Sequence, residues 1–386
     1  MSRIVVLGAG VFGVTAALAL QQRGHAVALV DPGPLPRPEA ASTDVSKIVR
    51  LDYGADELST VLMEQALTRW REWNGESGRT LYHEDGLLVL TRGPLRPGSF
   101  EGDSHALLSR RGHTLQPLDR ATLRRRFPAW AEGEFDGGYF NPQGGWAESG
   151  AVVSWLVERA RSRGIVVHEG GAATLDERGV SVANERVAAD RILVAAGAWT
   201  PLLLPELSDL IEVVGQPVLY FHPAEPERWR APQFPTYTAD VGRTGFYGFP
   251  ALADGTLKLA NHGAGRPVHP DAPRTVEPGD EARFREFLGR ALPTLGQPPL
   301  VGSRLCLYDD TPDGHFLIDR HPQRADVFVA AGGSGHAFKF APVLGELIAD
   351  VVEGRAPERA GRFAWRERRG AATGPAADQA RAGRTA

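Results

Sequence analysis

A glycine-rich turn near the N-terminus constrains the fold of this chain more than any other feature. Gly8, Gly10 and Gly13 form a Gly-x-Gly-x-x-Gly pattern after the apolar β run Arg3–Leu7 and open a helical stretch, and a second β run ends at Asp31. Glycines at this spacing permit a tight turn, close approach to a pyrophosphate and close packing of helix on strand. The pattern predicts a βαβ unit that binds a dinucleotide.

The same unit predicts how the dinucleotide is held. The helix begins at Val11 and Phe12, and its unpaired N–H groups and dipole favour the phosphates. Asp31 can accept a hydrogen bond from a ribose 2′-hydroxyl, which disfavours a 2′-phosphate there. NAD and FAD both satisfy these contacts.

The α/β pattern returns twice, at 147–200 and 326–353, and each time a strand ends in a glycine turn. The first return leads into Gly197 and Trp199, and its continuous apolar run is typical of a parallel sheet covered on both faces. A cofactor with a large, distant second half needs such late contributions, whereas an NAD dehydrogenase does not. This arrangement favours FAD.

Residues 211–300 instead carry alternating β segments and one predicted helix, and we expect 104–130 to be helical. We therefore predict an α/β fold, α+β overall, in which a β-rich substrate domain with a mixed antiparallel sheet is inserted into a discontinuous Rossmann-type domain. The predicted ranges are 1–80, 145–210 and 301–365 for the FAD-binding domain, 81–144 and 211–300 for the substrate domain, and 366–386 for a disordered tail.

Bulk composition excludes several classes. The chain has 386 residues with a net charge of −4, which offers no basic surface for nucleic acid. No apolar run is long enough to span a bilayer. The single cysteine excludes an intrachain disulfide and fits a reducing compartment, so we expect a cytoplasmic protein. No cluster of histidine, cysteine and carboxylate residues has metal-ligand spacing.

Lysine is rare in this chain. It occurs only at Lys47, Lys258 and Lys339, and every other basic residue is an arginine. Either cation serves at a solvated surface, so a remaining lysine can mark a site that requires a compact ammonium group. The alternative is chance survival of three surface lysines.

Four further segments contain all three lysines and the only cysteine. They are Lys47–Arg50 with Tyr53 and Gly54; Tyr247–Pro250 with Leu257–Leu259 and His262; Cys306–Tyr308 with Thr311–Phe316; and Gly332–Phe340. With the glycine turn, they resemble the monomeric sarcosine oxidase family of FAD-dependent amine oxidases. That family includes N-methyltryptophan oxidase and belongs to the D-amino-acid-oxidase-like flavoproteins. The resemblance extends from Arg3 to about Gly354.

The resemblance implies how FAD is bound. It implies a thioether from Cys306 to the flavin 8α-carbon, although a lone cysteine is otherwise most often a buried apolar residue. Gly335 and His336 open the last helix, whose dipole can stabilise negative charge on the flavin, and Lys339 follows them. The family loop that contacts the cofactor corresponds to Ser42, Thr43 and Lys47, with lysine in place of the usual arginine.

The resemblance also implies catalytic roles. Lys258 promotes the reaction with oxygen, because a fixed cation stabilises the developing superoxide anion. Arg50 and Lys339 bind the substrate carboxylate, and His262 and Tyr308 contact the substrate. Each role has a structural alternative. Lys258 could be an outward-facing residue on a strand, Arg50 could form an ordinary salt bridge, and His262 could be a structural histidine.

The resemblance further implies a monomer that oxidises a secondary amine, or an N-methyl or cyclic amino acid, to an imine and reduces O₂ to H₂O₂. Asp309-Asp310, Phe246 and Gly333 depart from the family pattern, which predicts a differently shaped, more cation-tolerant pocket and leaves the amine open. Three alternatives also remain: a dehydrogenase of the same fold that reduces a quinone or carrier protein, an NAD-dependent dehydrogenase, and a non-catalytic flavoprotein.

Overall fold

The computed structural model describes residues 1–171, 173–355 and 358–366. The predicted disordered tail, 366–386, lies outside these ranges except for its first residue. The helices are α1 (Val11–Gln22), α2 (Glu57–Ser77), α3 (Phe100–Arg110), α4 (Arg120–Arg126), α5 (Ser149–Ser162), α6 (Thr200–Leu203), α7 (Val241–Thr244), α8 (Pro278–Ala291) and α9 (Ala341–Val352).

Extended segments alternate with these helices. The strands are β1 (Arg3–Leu7), β2 (Ala26–Asp31), β3 (Lys47–Val49), β4 (Tyr82–His83), β5 (Leu87–Thr91), β6 (Gln116–Asp119), β7 (Gly137–Asn141), β8 (Gly145–Ala147), β9 (Val166–Glu169), β10 (Ala173–Asp176), β11 (Gly179–Val182), β12 (Glu185–Val187), β13 (Arg191–Val194), β14 (Glu212–Phe221), β15 (Thr236–Ala239), β16 (Phe246–Gly248), β17 (Leu257–Asn261), β18 (Arg266–Pro267), β19 (Leu300–Asp310), β20 (Leu317–Arg320) and β21 (Val327–Ala331).

The predicted Rossmann-type sheet is confirmed. In the described residues it has six strands in the order β20-β21-β13-β1-β2-β9, and β1 runs parallel to both β2 and β13. Ile4 and Val6 pack with residues of α1, α5 and α9, whereas Val5 and Leu7 pack on the opposite face with Val180 of β11. Because successive side chains of a strand point to opposite faces, this alternation shows that the sheet is covered on both sides.

The predicted β-rich part is confirmed as a second, mixed sheet. Within the described ranges it has nine strands, ordered β18-β14-β17-β16-β15-β5-β7-β6 with β19 on β14. The pair β15–β5 is parallel, and its other pairs are antiparallel. Strand β19 pairs with β14 along most of its length, although we assigned 301–365 to the FAD-binding domain. The domain boundaries themselves stay a prediction.

The prediction that 104–130 is helical throughout is wrong. Helix α3 ends before Gly112, which has a φ of 87°, and β6 then pairs antiparallel with β7 through Leu118 and Gly138. Pro117 lies in this strand, and proline cannot donate the hydrogen bond that a helix interior requires. The Asp119 side chain accepts the N–H of Thr122 at 2.7 Å and caps α4. The arginine-rich, helix-like pattern of this segment outweighed the helix-ending signals of Gly112 and Pro117 and the capping signal of Asp119.

Gly13 offers a direct test of the predicted turn. A Cβ at this position would lie 1.8 Å from the carbonyl oxygen of Gly8, so Gly13→Ala must displace α1 from β1. We expect a loss of about 3 kcal/mol in the free energy of unfolding, measured by denaturant titration. Gly75→Ala is the matched control, because a Cβ there meets nothing within 4 Å in α2 and should be stabilising by about 0.5–1 kcal/mol. Equal stabilities of the two variants would contradict the packing role.

Candidate active site

A cavity of about 560 Å³ opens where β1, β2 and β13 end in their turns. Its wall brings together most of the predicted cofactor residues: Gly8, Gly10, Val11, Phe12, Asp31, Ser42, Lys47, Gly197, Trp199 and Gly335, together with Tyr308. Gly13 packs behind the turn against Gly8. Thr43 does not line this cavity, and its carbonyl accepts a hydrogen bond from the Arg304 guanidinium.

The residues of this cavity fit the dinucleotide part of FAD. Gly10 caps α1, and a Cβ there would lie 3.3 Å from the Ser42 hydroxyl, which accepts the Val11 N–H at 3.0 Å. The Asp31 carboxylate accepts the N–H groups of Ala9 at 2.8 Å and Gly33 at 3.0 Å, so it is fixed at the cavity wall. The volume is also in the range of small-molecule sites, about 300–1,000 Å³.

A second cavity of about 60 Å³ adjoins the first, since Lys47, Tyr308, Gly335 and Phe338 line both. Its wall contains the predicted substrate residues Arg50, His262, Tyr308 and Lys339, as well as His336. Thr238, Val241 and Tyr247 also line it. The sequence patterns did not single out Thr238 or Val241, because their positions depend on how the nine-stranded sheet meets the Rossmann part. Tyr247 belongs to a segment of the family resemblance but was not among the predicted site residues.

Two buried cations dominate the smaller cavity. Arg50 is 8% exposed, and its guanidinium lies 4.9 Å from the ring centroid of Tyr53. Lys339 is 5% exposed, and its ammonium donates to the His336 carbonyl at 2.9 Å. Burial, followed by repulsion from Arg50 and Lys47, holds the pKa of Lys339 well below its usual range. No acidic residue of the described chain lines this cavity, so it suits an anionic group.

Lys47 adds a third basic side chain to this cavity, whereas His262 and Tyr308 are neutral there. Burial, with the charges of Arg50 and Lys339, lowers the pKa of His262 to about 4. The Tyr308 ring lies 5.8 Å from that of His262, and burial together with Tyr247 raises the pKa of Tyr308 well above its usual value. At neutral pH these side chains can therefore orient a ligand through hydrogen bonds without adding charge.

Lys258 lies outside the walls of both cavities. Its side chain is 1% exposed, which excludes an outward-facing lysine on β17. Its ammonium donates to Asp44 Oδ2 at 2.7 Å and to the Ser46 carbonyl. Burial lowers the pKa of Lys258 to about 8, against the attraction of Asp44. Asp44 was not among the predicted site residues; its position in the polar loop before Lys47 was the available signal.

Cys306 lies on β19 and is not among the residues that line either cavity. It is 1% exposed and packs with Tyr308 and Ala41, both of which line the larger cavity. The ammonium of Lys47 is 3.9 Å from its sulfur.

The residues that depart from the family pattern do not line the smaller cavity, and the expected change in the substrate pocket stays a prediction. Asp309 lines the larger cavity and accepts the Gly332 N–H at 2.7 Å. Gly333 lies in the same wall. Phe246 stacks on Phe287 with ring centroids 4.2 Å apart in the core under the nine-stranded sheet. Asp309 and Phe246 lie on strands, where successive side chains point to opposite faces. This direction decides whether each side chain faces a cavity or the core.

The described residues contain neither a membrane-spanning helix nor a cluster of metal ligands. None of their helices is both long and apolar enough to cross a membrane. No group of three or more histidine, cysteine, aspartate or glutamate residues in this part of the chain could hold a metal ion.

Comparison with known proteins places this geometry in a family. A monomeric sarcosine oxidase from Bacillus sp. (strain B-0618) is 29% identical over 359 residues, which cover 90% of this chain and 91% of that protein. An N-methyl-L-tryptophan oxidase from Citrobacter koseri is 28% identical over 365 residues, covering 92% and 95%. These matches confirm the resemblance inferred from the four segments.

Solved structures agree. The crystal structure of Amadoriase I, a fructosyl amine:oxygen oxidoreductase from Aspergillus fumigatus, superposes with a TM-score of 0.80 at 25% identity, covering 95% of this chain and 89% of that one. Fructosyl peptide oxidase from E. terrenum, at 22% identity, shares the fold with a TM-score of 0.84 over 96% and 93% of the two chains. The family named DAO, FAD dependent oxidoreductase, matches residues 3–351. This chain, with its glycine turn, its larger cavity and its adjoining cationic cavity, therefore belongs to the DAO family of FAD-dependent oxidoreductases.

Proposed function

We propose that this protein is an FAD-dependent amine oxidase that converts a secondary amine, or an N-methyl or cyclic amino acid, to an imine and reduces O₂ to H₂O₂. One observation carries the proposal: the cavity of about 60 Å³ that adjoins the cofactor cavity is lined by Arg50, Lys47 and Lys339 and by no acid of the described chain. Such a site binds the carboxylate of an amino acid.

The residues of the smaller cavity would orient the substrate. Arg50 can bind the carboxylate through two parallel N–H groups, and Lys339 adds a point charge. Neutral His262 and Tyr308 would contact the uncharged amine beside the junction with the larger cavity. When bound in the larger cavity, FAD supplies the acceptor for the two electrons removed from the amine.

The names of the relatives support this substrate class. Sarcosine oxidase and N-methyl-L-tryptophan oxidase are named for N-methyl amino acids, and Amadoriase I is named for a fructosyl amine and oxygen. The N-methyl amino acids are secondary amines, and the fructosyl amine likewise carries a substituent on its nitrogen. A screen of N-methyl, cyclic and sugar-conjugated amino acids for peroxide release tests the proposal and would identify the preferred amine. We expect the active enzyme to be a cytoplasmic monomer.

An FAD dehydrogenase of the same fold is the second candidate. The buried ammonium of Lys258, which can stabilise a developing superoxide anion, favours the oxidase. Oxygen consumption decides between them. Turnover with an artificial quinone but without oxygen uptake would instead support the dehydrogenase.

We further propose that Cys306 carries the flavin through a thioether, since its sulfur lies 3.9 Å from the ammonium of Lys47, a residue that lines both cavities. In the wild type, acid precipitation should leave the yellow colour in the protein pellet, because a thioether survives denaturation. In Cys306→Ser the flavin should pass completely into the supernatant. A colourless wild-type pellet would contradict the linkage without contradicting FAD binding.

A further inference from the structure

We propose that Asp44 is a positioning residue that keeps Lys258 charged and fixed beside the two cavities. The inference rests on the proposed function, because it concerns the lysine that we assign to the reaction with oxygen. Both Lys258 and Lys47 approach the same oxygen of Asp44, at 2.7 Å and 4.0 Å. Since Lys47 lines both cavities, this shared carboxylate connects Lys258 to a residue of both walls.

The Asp44 carboxylate is held at both oxygens. Oδ2 accepts the ammonium of Lys258, and Oδ1 accepts the Tyr220 hydroxyl at 2.6 Å and the Val45 N–H at 2.7 Å. Three donors from different parts of the chain thus fix its orientation.

The backbone of Asp44 is anchored independently of Lys258. Its carbonyl accepts the Gly150 N–H and the Ser149 hydroxyl, each at 2.8 Å, at the start of α5. The loop is therefore attached to the Rossmann part, whereas Lys258 comes from β17 of the nine-stranded sheet. Asp44 joins the two parts at the point where an ammonium must be held.

Lys258 depends on this carboxylate because water does not reach it. The side chains of Lys258 and Asp44 are each 1% exposed. The remaining contacts of the ammonium are the Ser46 carbonyl and the Phe249 ring, whose centroid is 4.7 Å away. A buried ammonium without a counter-charge gives up its proton rather than stay desolvated.

Five other titratable groups face this pair, and they do not replace Asp44. One of them, Tyr247 of β16, stays neutral because burial, together with the charges of Cys306 and Asp44, raises its pKa. Lys47 of β3 lowers the pKa of Lys258, and the Cys306 thiol of β19 raises it only in its ionised form. Arg304 of β19 and Tyr220 of β14 act on Asp44 itself, the former by attraction and the latter by its hydrogen bond. The stabilising negative charge at Lys258 therefore comes from Asp44.

Asp44→Asn tests the inference, because it removes the charge with little change in shape. Reduced enzyme would be mixed with oxygen in a stopped-flow instrument across pH 5.5–9. We expect the reoxidation rate at pH 7.5 to fall at least about 10-fold and its pH midpoint to move down by at least about one unit. The rate of anaerobic flavin reduction by substrate should change less than about 3-fold, since Lys258 has no role there.

Asp44→Glu and a double variant separate charge from position. Asp44→Glu should return the pH midpoint to the wild-type value while the rate stays lower, because the longer side chain displaces the carboxylate. Asp44→Asn combined with Lys258→Met should react no more slowly than Lys258→Met alone. Asp190→Asn, at the exposed ion pair with Arg3, is the control and should match the wild type.

The outcomes distinguish the two proposals. If Lys258→Met slows reoxidation but Asp44→Asn changes neither the rate nor the midpoint, Asp44 has no such role. If Lys258→Met itself leaves reoxidation unchanged, the oxidase assignment of Lys258 fails first. Should Asp44→Asn not fold, Asp44→Glu carries the test, and a wild-type rate throughout the pH range would overturn the positioning role.

Discussion

Replacing Lys258 with methionine is expected to slow the reoxidation of the reduced enzyme by oxygen about 10²- to 10³-fold. The buried ammonium, 1% exposed and already oriented by Asp44, costs no reorganisation when negative charge develops on oxygen. Removing one such preorganised charge typically costs this factor. Methionine preserves the length and the apolar stem of the side chain, so the core around β17 should stay intact. Stopped-flow absorbance of the flavin measures this half-reaction directly.

The reduction half-reaction is the internal comparison for this variant. Flavin reduction by substrate should be nearly unchanged, because Lys258 lines neither cavity. Arg266→Met controls for the loss of a positive charge, because Arg266 lies on β18 of the same sheet and forms a partly exposed ion pair with Asp280 of α8. Equal slowing of both half-reactions would remove the reason for calling this protein an oxidase.

The rate of reoxidation by oxygen should decrease with rising pH. Burial lowers the pKa of Lys258 to about 8, and the proposed role of Lys258 requires its protonated form. The reoxidation rate of the wild type should therefore be highest below this pKa and fall as the pH rises through it. The Lys258→Met profile should be flat over the same range.

Arg50→Met and Lys339→Met are expected to weaken binding of an amino-acid substrate about 10- to 100-fold each, because each removes a charged hydrogen bond to the carboxylate. Arg50 is 8% exposed and Lys339 is 5% exposed, so water cannot readily replace either side chain as a partner of the carboxylate. The informative measurement is kcat/KM for an N-methyl amino acid divided by that for the corresponding amine without the carboxylate. This ratio should fall toward one.

The lysine adds a pH dependence to this binding. Burial, Arg50 and Lys47 hold the pKa of Lys339 well below its usual value, and a bound carboxylate favours the protonated form. Substrate binding should weaken as the pH rises through this depressed pKa, and Lys339→Met should lose that dependence. Equal losses for both substrates in either variant would indicate a structural role instead of carboxylate recognition.

Local patterns were sufficient where the chemistry is local. The glycine turn, the helix behind it and Asp31 lie within one βαβ unit, and the structure places them as predicted. The rarity of lysine drew attention to three positions, of which Lys47 and Lys339 line the smaller cavity. The strand β6 was missed because an arginine-rich, helix-like pattern outweighed the signal of Pro117.

The sequence by itself determined the dinucleotide-binding unit, the mixed second sheet and the kinds of side chain available for catalysis, because turns, periodicity and rare residues act over short stretches. Only the tertiary structure decided which of them meet. Asp44 and Lys258 are 214 positions apart, and Asp309 lines the larger cavity rather than the smaller one. Such contacts depend on how two sheets pack and on which face of a strand each side chain occupies. No local pattern specifies that arrangement.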